Sequence, residues 1–401
     1  MIGVISMIYL NNAFTSFPKP PEVIEFVNKV IREPHLSAGR SAIEQDEEED
    51  IVLGCRKCLA KLFNIENYNN ISFTSGATFS LNMAIKGLRL ENCHVITSAM
   101  EHTSVLRPLK LLEKNKVIEL TIVDCDENGV VSPQNIEKAI RPNTKAIVLN
   151  HASNVVPAVN NIRRIGDITS EENITFIVDA SQSAGCVPID VKKMGIDMLA
   201  FTGHKSLFGL EGIGGIYIRD GIYIDPLTVG GTGLKSESLY QVEERPSYYE
   251  SGTRNMVGIA SLKAGVSYIL NCGMDIMNQK KRKTFETLIN GLSKIPNVQL
   301  YGSDQYGTPL ICFNIIGMLP TVVGRLLWEN YGITVRTGLL CAPLIHEKIG
   351  TAPHGAVRIS FSYFTTDDEI NLFLKAVKEI VELLNSGRIE ESNKNKSLVC
   401  Y

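Results

Sequence analysis

Seven short apolar runs, "NISFTSG", "HVITSA", "VIELTIV", "AIVLNHAS", "TFIVDAS", "MLAFTGH" and "GGIYIRD", recur between about residue 70 and residue 220. Helix-patterned segments separate several of them. One is "ATFSLNMAIKGL", which sets Leu81, Ala84, Ile85 and Leu88 on one face. Such alternation predicts an α/β domain with a largely parallel sheet covered by helices on both faces. In sheets of that kind ligands bind beyond the carboxyl ends of the strands, so the polar residues that end these runs are the first to weigh. After about residue 258 the texture changes. The helical stretches "GIASLKAGVSYILNCG", "TVVGRLLWENYG" and "DEINLFLKAVKEIVELLN" alternate with strand-like "PLICFNII" and "AVRISFS", which predicts a smaller α+β domain. The expected division is an N-terminal segment 1–20 packing with the small domain, a large domain 21–257, a small domain 258–386 and a polar tail 387–401.

A length of 401 residues suits two domains. The formal net charge of -3 gives no basic field, which argues against a nucleic-acid partner. The dense acidic run Glu44 to Asp50 reads as a solvated face or loop. No apolar stretch approaches the roughly 20 residues of a membrane span, and "MIGVISMIYL" lacks the basic start of a secretory signal. Nine scattered cysteines are odd in number and match a reducing compartment rather than a disulfide framework. The chain therefore reads as a soluble, cytoplasmic protein. Cys55 and Cys58 form a C-x-x-C inside the helical "IVLGCRKCLAKLF"; with no second ligand pair near, no metal site is expected.

Three strand ends carry unusual residues. "FIVDASQSAG" ends an apolar strand on Asp179, with Gln182 a short turn later, and a buried carboxylate is costly unless paired or hydrogen-bonded. "FTSGAT" ends a strand and opens a helix, leaving backbone N–H groups at a positive helix end that suits phosphate. "FTGHKS" brings Thr202, His204 and Lys205. A phosphate nest, a buried aspartate and a strand-end lysine together describe a site for pyridoxal 5'-phosphate. Lys205 is then the Schiff-base lysine and Asp179 the partner of the pyridine nitrogen. Gln182 and Asn154, in "NHASN", are placed to hydrogen-bond the phenolic oxygen, and His102, in "AMEHTS", to stack on the ring.

The segments "SGAT", "MEHTSVLRPL", "HASN", "VDASQSAG", "TGHKSLFGLEGIGGIYI", "ESGTRN" and "VRTGLLCAP" resemble the motifs of fold-type I, class V aminotransferase-like enzymes. Within that group they are most similar to cysteine desulfurases and selenocysteine lyases, with a short cysteine loop like that of group II desulfurases. The resemblance runs from "IYLNNAFTSFPKP" through "VRISFSYFTTDDEI". It implies a large domain built on a mainly parallel seven-stranded sheet. It implies a phosphate site of Ala77, Thr78, Thr202 and His204, completed by Thr253 of a neighbouring subunit in a homodimer with shared active sites. His102 takes an acid/base role, Arg358 binds the substrate α-carboxylate, and Asn12 joins it in substrate binding. Leu340 stands where relatives commonly carry a histidine, and Phe14 and Arg254 are further departures.

Cys341 decides the reaction. A thiolate on this loop would attack the sulfur of L-cysteine, leaving a persulfide, releasing alanine, and passing the sulfur to an acceptor protein. Removal of selenium from L-selenocysteine is the close alternative. A class V aminotransferase or epimerase, which needs no thiol, is the more distant one. Cys400 in the tail is a possible sulfur relay, with an incidental exposed cysteine the plainer reading.

Overall fold

The computed structural model describes residues 7–33, 50–235 and 237–387. Residues 44–49 of the acidic run, and Cys400, lie outside them. In chain order the elements through the first half are β1 (Ile8–Tyr9), α1 (Pro21–Arg32), α2 (Ile51–Phe63), β2 (Ile71–Thr74), α3 (Ala77–Gly87), β3 (Cys93–Ser98), α4 (Thr103–Lys114) and β4 (Ile118–Val123). Then come α5 (Pro133–Ala139), β5 (Thr144–Asn150), α6 (Ile162–Glu171), β6 (Thr175–Asp179), β7 (Met198–Thr202) and β8 (Gly214–Ile218).

Strands β2 to β8 form one seven-stranded sheet in the order β2-β8-β7-β6-β5-β3-β4. Only β8 runs against its neighbours β2 and β7; the other pairings are parallel. The mainly parallel seven-stranded α/β sheet is the expected one. Its strands are continuous apolar runs because both faces are covered. The two-residue pleat sorts them: Phe176, Val178, Leu199 and Phe201 belong to one buried cluster, Ile177, Met198 and Ala200 to the other. Leu59 and Phe63 of α2 cover the first face, Leu81 and Met83 of α3 the second. Phe176 and Phe201 are fully enclosed, so truncating either to alanine should cost about 3–5 kcal/mol.

The remaining elements are α7 (Met256–Cys272), α8 (Met274–Leu292), β9 (Val298–Tyr301), β10 (Leu310–Ile315), α9 (Pro320–Tyr331), β11 (Ile333–Thr334), β12 (Arg336–Gly338), α10 (Pro343–Lys348), β13 (Ala356–Ser360) and α11 (Asp367–Asn385). A four-stranded antiparallel sheet, ordered β12-β13-β10-β9, packs its apolar face on α8, α9 and α11 around Phe285, Phe313, Phe373 and Val377. Helix α11 starts where the sequence "TTDDE" allows a capping box, Thr366 and Glu369 satisfying each other's backbone N–H. The short β1 pairs in parallel with β11, and Leu10 N–H donates to Thr334 O at 3.0 Å. Residues 8–12 thus run beside the antiparallel sheet, with Asn11 bridged to Ser360, and the chain crosses from there to the ends of the large sheet's strands.

Candidate active site

At the carboxyl ends of the large sheet's strands lies a cavity of about 350 Å³. Its walls come from the turns after β2, β3, β5, β6 and β7, with the β12–α10 turn and Phe14 at its mouth. It is lined by Ala77, Thr78, His102, Asn154, Asp179, Gln182, Thr202, His204, Lys205, Cys341 and Arg358, residues scattered over more than 280 positions of the chain.

The floor is an anion cradle. Helix α3 begins at Gly76, whose φ of 144° is open to glycine, and no side chain caps it. Gly214 of β8 packs directly against it: a Cβ on Gly214 would come within 2.7 Å of Gly76 Cα. The amide groups of the first turn therefore face the cavity, where Ala77 and Thr78 line it. His204 adds a ring whose buried Nδ1 has no partner. Burial, then Lys205 and Lys19, lower its pKa to about 4, so it is a neutral donor at pH 7. Its carbonyl is pinned by Ser16 N–H at 2.9 Å and Lys19 Nζ at 3.0 Å.

Asp179 ends β6 and is buried. One oxygen, Oδ1, accepts from Ser181 N–H at 2.8 Å and from the Ser181 hydroxyl; the other carries no described hydrogen bond. Lys205 follows β7, and its amine makes no described hydrogen bond. Burial lowers its pKa to about 8; Asp179 opposes that shift, Arg358 adds to it. His102 is the N-cap of α4, with Nδ1 accepting from Ser104 N–H at 3.0 Å. Burial pushes its pKa down to about 4, so the ring is neutral with its proton on Nε2. Asn154 spends one N–H on Leu340 O at 2.6 Å and Gln182 one on Ala13 O at 3.1 Å; each keeps a second donor.

Arg358 on β13 is buried, and its pKa falls to about 10, first through burial and then through Arg336. The two guanidinium groups sit at paired positions, because Arg336 of β12 is the cross-strand partner of Arg358. Like charges so placed repel unless an anion joins them, and two guanidinium forks suit a carboxylate. Arg358 is oriented by Asn154 O at 2.8 Å and Asn11 Oδ1 at 3.1 Å. Arg336 lies over the Phe14 ring at 5.5 Å and brings Nη2 to 3.9 Å from Cys341 Sγ.

Cys341 is exposed at the cavity mouth. Only Leu339 and Leu340 separate it from β12, and α10 starts two residues later. Leu340 and Cys341 both have left-handed backbone, φ 52° and 59°, uncommon for residues other than glycine. The turn is held against this strain by Asn154 on Leu340 O and by Thr103 N–H on Cys341 O at 2.8 Å. This compact turn aims the thiol into the cavity without a long arm.

Two expected residues stand elsewhere. The Asn12 amide donates to Tyr9 O at 3.3 Å and Ser360 O at 3.2 Å, and its Oδ1 accepts from Phe17 N–H at 3.0 Å. With every hydrogen-bonding group spent on backbone it does not line the cavity, and the neighbouring Asn11 is the residue that touches Arg358. Thr253 is exposed beside a different cavity, near Gly230 and Arg254, and does not reach this one. The sequence reading missed Arg336, Ser104, Ser181 and Asn11. Arg336 stands inside the quoted "VRTGLLCAP", but only the β12–β13 register reveals that it faces Arg358. Among the described residues no cluster of His, Cys, Asp and Glu could hold a metal ion.

Comparisons with known proteins agree with this geometry. The family model "Aminotransferase class-V" matches residues 8–373. A probable cysteine desulfurase of Pyrococcus abyssi is 31% identical over 95% of this chain and 96% of its own length. The cysteine desulfurase IscS of Methanosarcina thermophila is 33% identical, covering 94% of this chain and 93% of its own. Among solved structures, the apo cysteine desulfurase of Thermococcus onnurineus superposes with a TM-score of 0.87 at 30% identity, covering 94% of this chain and 95% of that one.

Proposed function

From the premise that this chain belongs to the class-V aminotransferase family, we propose that it is a pyridoxal phosphate-dependent cysteine desulfurase. The reaction converts L-cysteine to L-alanine and leaves the sulfur on Cys341 as a persulfide. The single observation that carries this reading is an exposed thiol lining the same cavity as a half-buried lysine and a pair of facing arginines.

The residues fit the cofactor. The uncapped start of α3, with Ala77, Thr78, Thr202 and the unpartnered ring of His204, suits a phosphate. Asp179, with one oxygen uncommitted, suits the pyridine nitrogen, and Gln182 and Asn154 retain donors for the phenolic oxygen. Lys205, with a pKa of about 8, would be the amine that holds it covalently. When bound, that ring supplies an electron sink.

The protein's own groups do the rest. Arg358 and Arg336 hold the substrate carboxylate, which points the substrate side chain toward Cys341. Lys205 Nζ, near neutrality, takes and returns protons at the substrate's carbon. His102 presents a neutral ring with Nε2–H to the cavity. The Cys341 thiolate attacks the substrate sulfur, forming an S–S bond as the carbon–sulfur bond breaks; the bonding pair stays on the carbon, which gains a proton to become alanine's methyl group, and Arg336 Nη2 lies 3.9 Å from Sγ. Phe14 and Leu340 shield the mouth. Because Cys341 faces solvent, an acceptor thiol can then take the sulfur by exchange.

The active form is a homodimer in which Thr253 of each subunit completes the partner's phosphate site. Two features support this. The loop bearing Thr253 is fastened by a buried network in which Glu250 holds Arg56 at 2.7 Å, Phe73 N–H at 2.7 Å and Arg254 at 2.8 Å. The adjoining segment exposes Leu239 and Tyr240 almost completely, at 99% and 88%. In this reading the chain divides into a large domain, 21–257, and a small domain, 258–386, with the N-terminal segment 1–20 packed on the smaller one.

Cys341→Ser tests the reading. It should keep the cofactor's absorbance and still bind L-cysteine, yet form no alanine. Full alanine production by this variant would overturn it.

A further inference from the structure

Beneath the active-site cavity, and sharing Ala13 and Gln182 with it, lies a second cavity of about 30 Å³. That volume matches a single water molecule or small ion. Lys281 of α8 lines it and is only 4% exposed. Among the described residues no carboxylate pairs with Lys281, and it makes no described hydrogen bond. The group that acts on it is the thiol of Cys186, which is itself buried, raised in pKa by that burial, and donating to Gln182 O at 2.9 Å. A protonated thiol is no counter-charge.

The same cavity is lined by Thr308, whose fully enclosed hydroxyl oxygen has no partner, and by Ser362. The Ser362 oxygen accepts from Phe364 N–H at 3.1 Å, which leaves its own hydrogen to donate. The lining thus supplies an amine and two hydroxyls, all able to donate. Burial disfavours the charged form of Lys281, and an anion of matching size against it favours that form.

We propose that this cavity is a binding site for a monovalent inorganic anion of the halide class, held by Lys281, Thr308 and Ser362. The site stands on the cavity and its lining alone and does not depend on the reaction assigned above. Its position gives it a consequence: the anion braces the wall that carries Gln182, between the two cavities.

The experiment uses the full-length holoenzyme, exchanged into sodium gluconate and titrated with sodium chloride at constant ionic strength. The melting temperature should rise saturably, by about 2 °C. Lys281→Met should abolish the rise, and Thr308→Val should weaken it. A crystal soaked in sodium bromide provides the second measurement, which needs no variant: an anomalous peak should lie in the cavity beside Lys281 Nζ. A melting temperature indifferent to chloride in the wild type, an equal response in Lys281→Met, or a bromide-soaked crystal without that peak would each overturn the proposal.

Discussion

The reactivity of Lys205 toward an aldehyde can be worked from its surroundings. A primary amine condenses with a carbonyl only as the free base. Burial brings Lys205 from an ordinary 10.5 to about 8. At pH 7 roughly one Lys205 in ten is then free base, against roughly one in three thousand for an ordinary lysine, a gain of about 300-fold. The neighbours divide by sign. Arg358 disfavours the ammonium and Asp179 favours it. Apoprotein mixed with pyridoxal phosphate across about pH 6 to 10.5, followed by the growth of the visible band and normalised to a free lysine derivative, should give a capture rate that climbs and levels near pH 8. Arg358→Gln should move that midpoint up, and Asp179→Asn should move it down. A midpoint near 10 in the wild type, or both variants shifting the same way, would refute the reasoning.

Other predictions follow from the same structure. Glu101 is buried beside Asp179, and burial raises its carboxyl from 4.5 to about 8. Between those values the folded state holds a proton that the unfolded state sheds, so stability falls as pH rises through the window. Glu101→Gln should lose this dependence and overtake the wild type in urea midpoint near pH 8; parallel pH profiles would count against it. Glu250→Gln leaves Arg56 buried without its carboxylate, so denaturant unfolding should show a loss of about 3–5 kcal/mol, and a loss below one would mean the network is slack. Asn154→Ala removes a tie to the strained turn, so alkylation of Cys341 should quicken about fivefold to tenfold; an unchanged rate would show that Thr103 suffices.

Much of this was legible in the sequence, for reasons that differ by residue. The seven strands declared themselves because a doubly covered sheet needs uninterrupted apolar runs, and Asp179 and Lys205 stood out as charges where such runs stop. Elements too short to show a period were not legible. The two-residue β1 and β11 carry no periodicity, and β12 is three residues that become a strand only by pairing with β13. That pairing is also what turns Arg336 toward Arg358, across a connection of 17 residues between Gly338 and Ala356. Asn11 and Asn12 were indistinguishable as letters. Their difference is one of direction: the chain crosses between the two sheets there, turning Asn11 to Arg358 and Asn12 to backbone.

In the proposed reaction the sulfur leaves L-cysteine by way of one thiol. Holoenzyme mixed with a single equivalent of L-cysteine, quenched in acid and mapped by peptide mass spectrometry, should carry one added sulfur atom on the peptide containing Cys341, matched by one alanine. Alanine released while that peptide stays unmodified, or sulfur found instead on another cysteine in a Cys341→Ser protein, would contradict it.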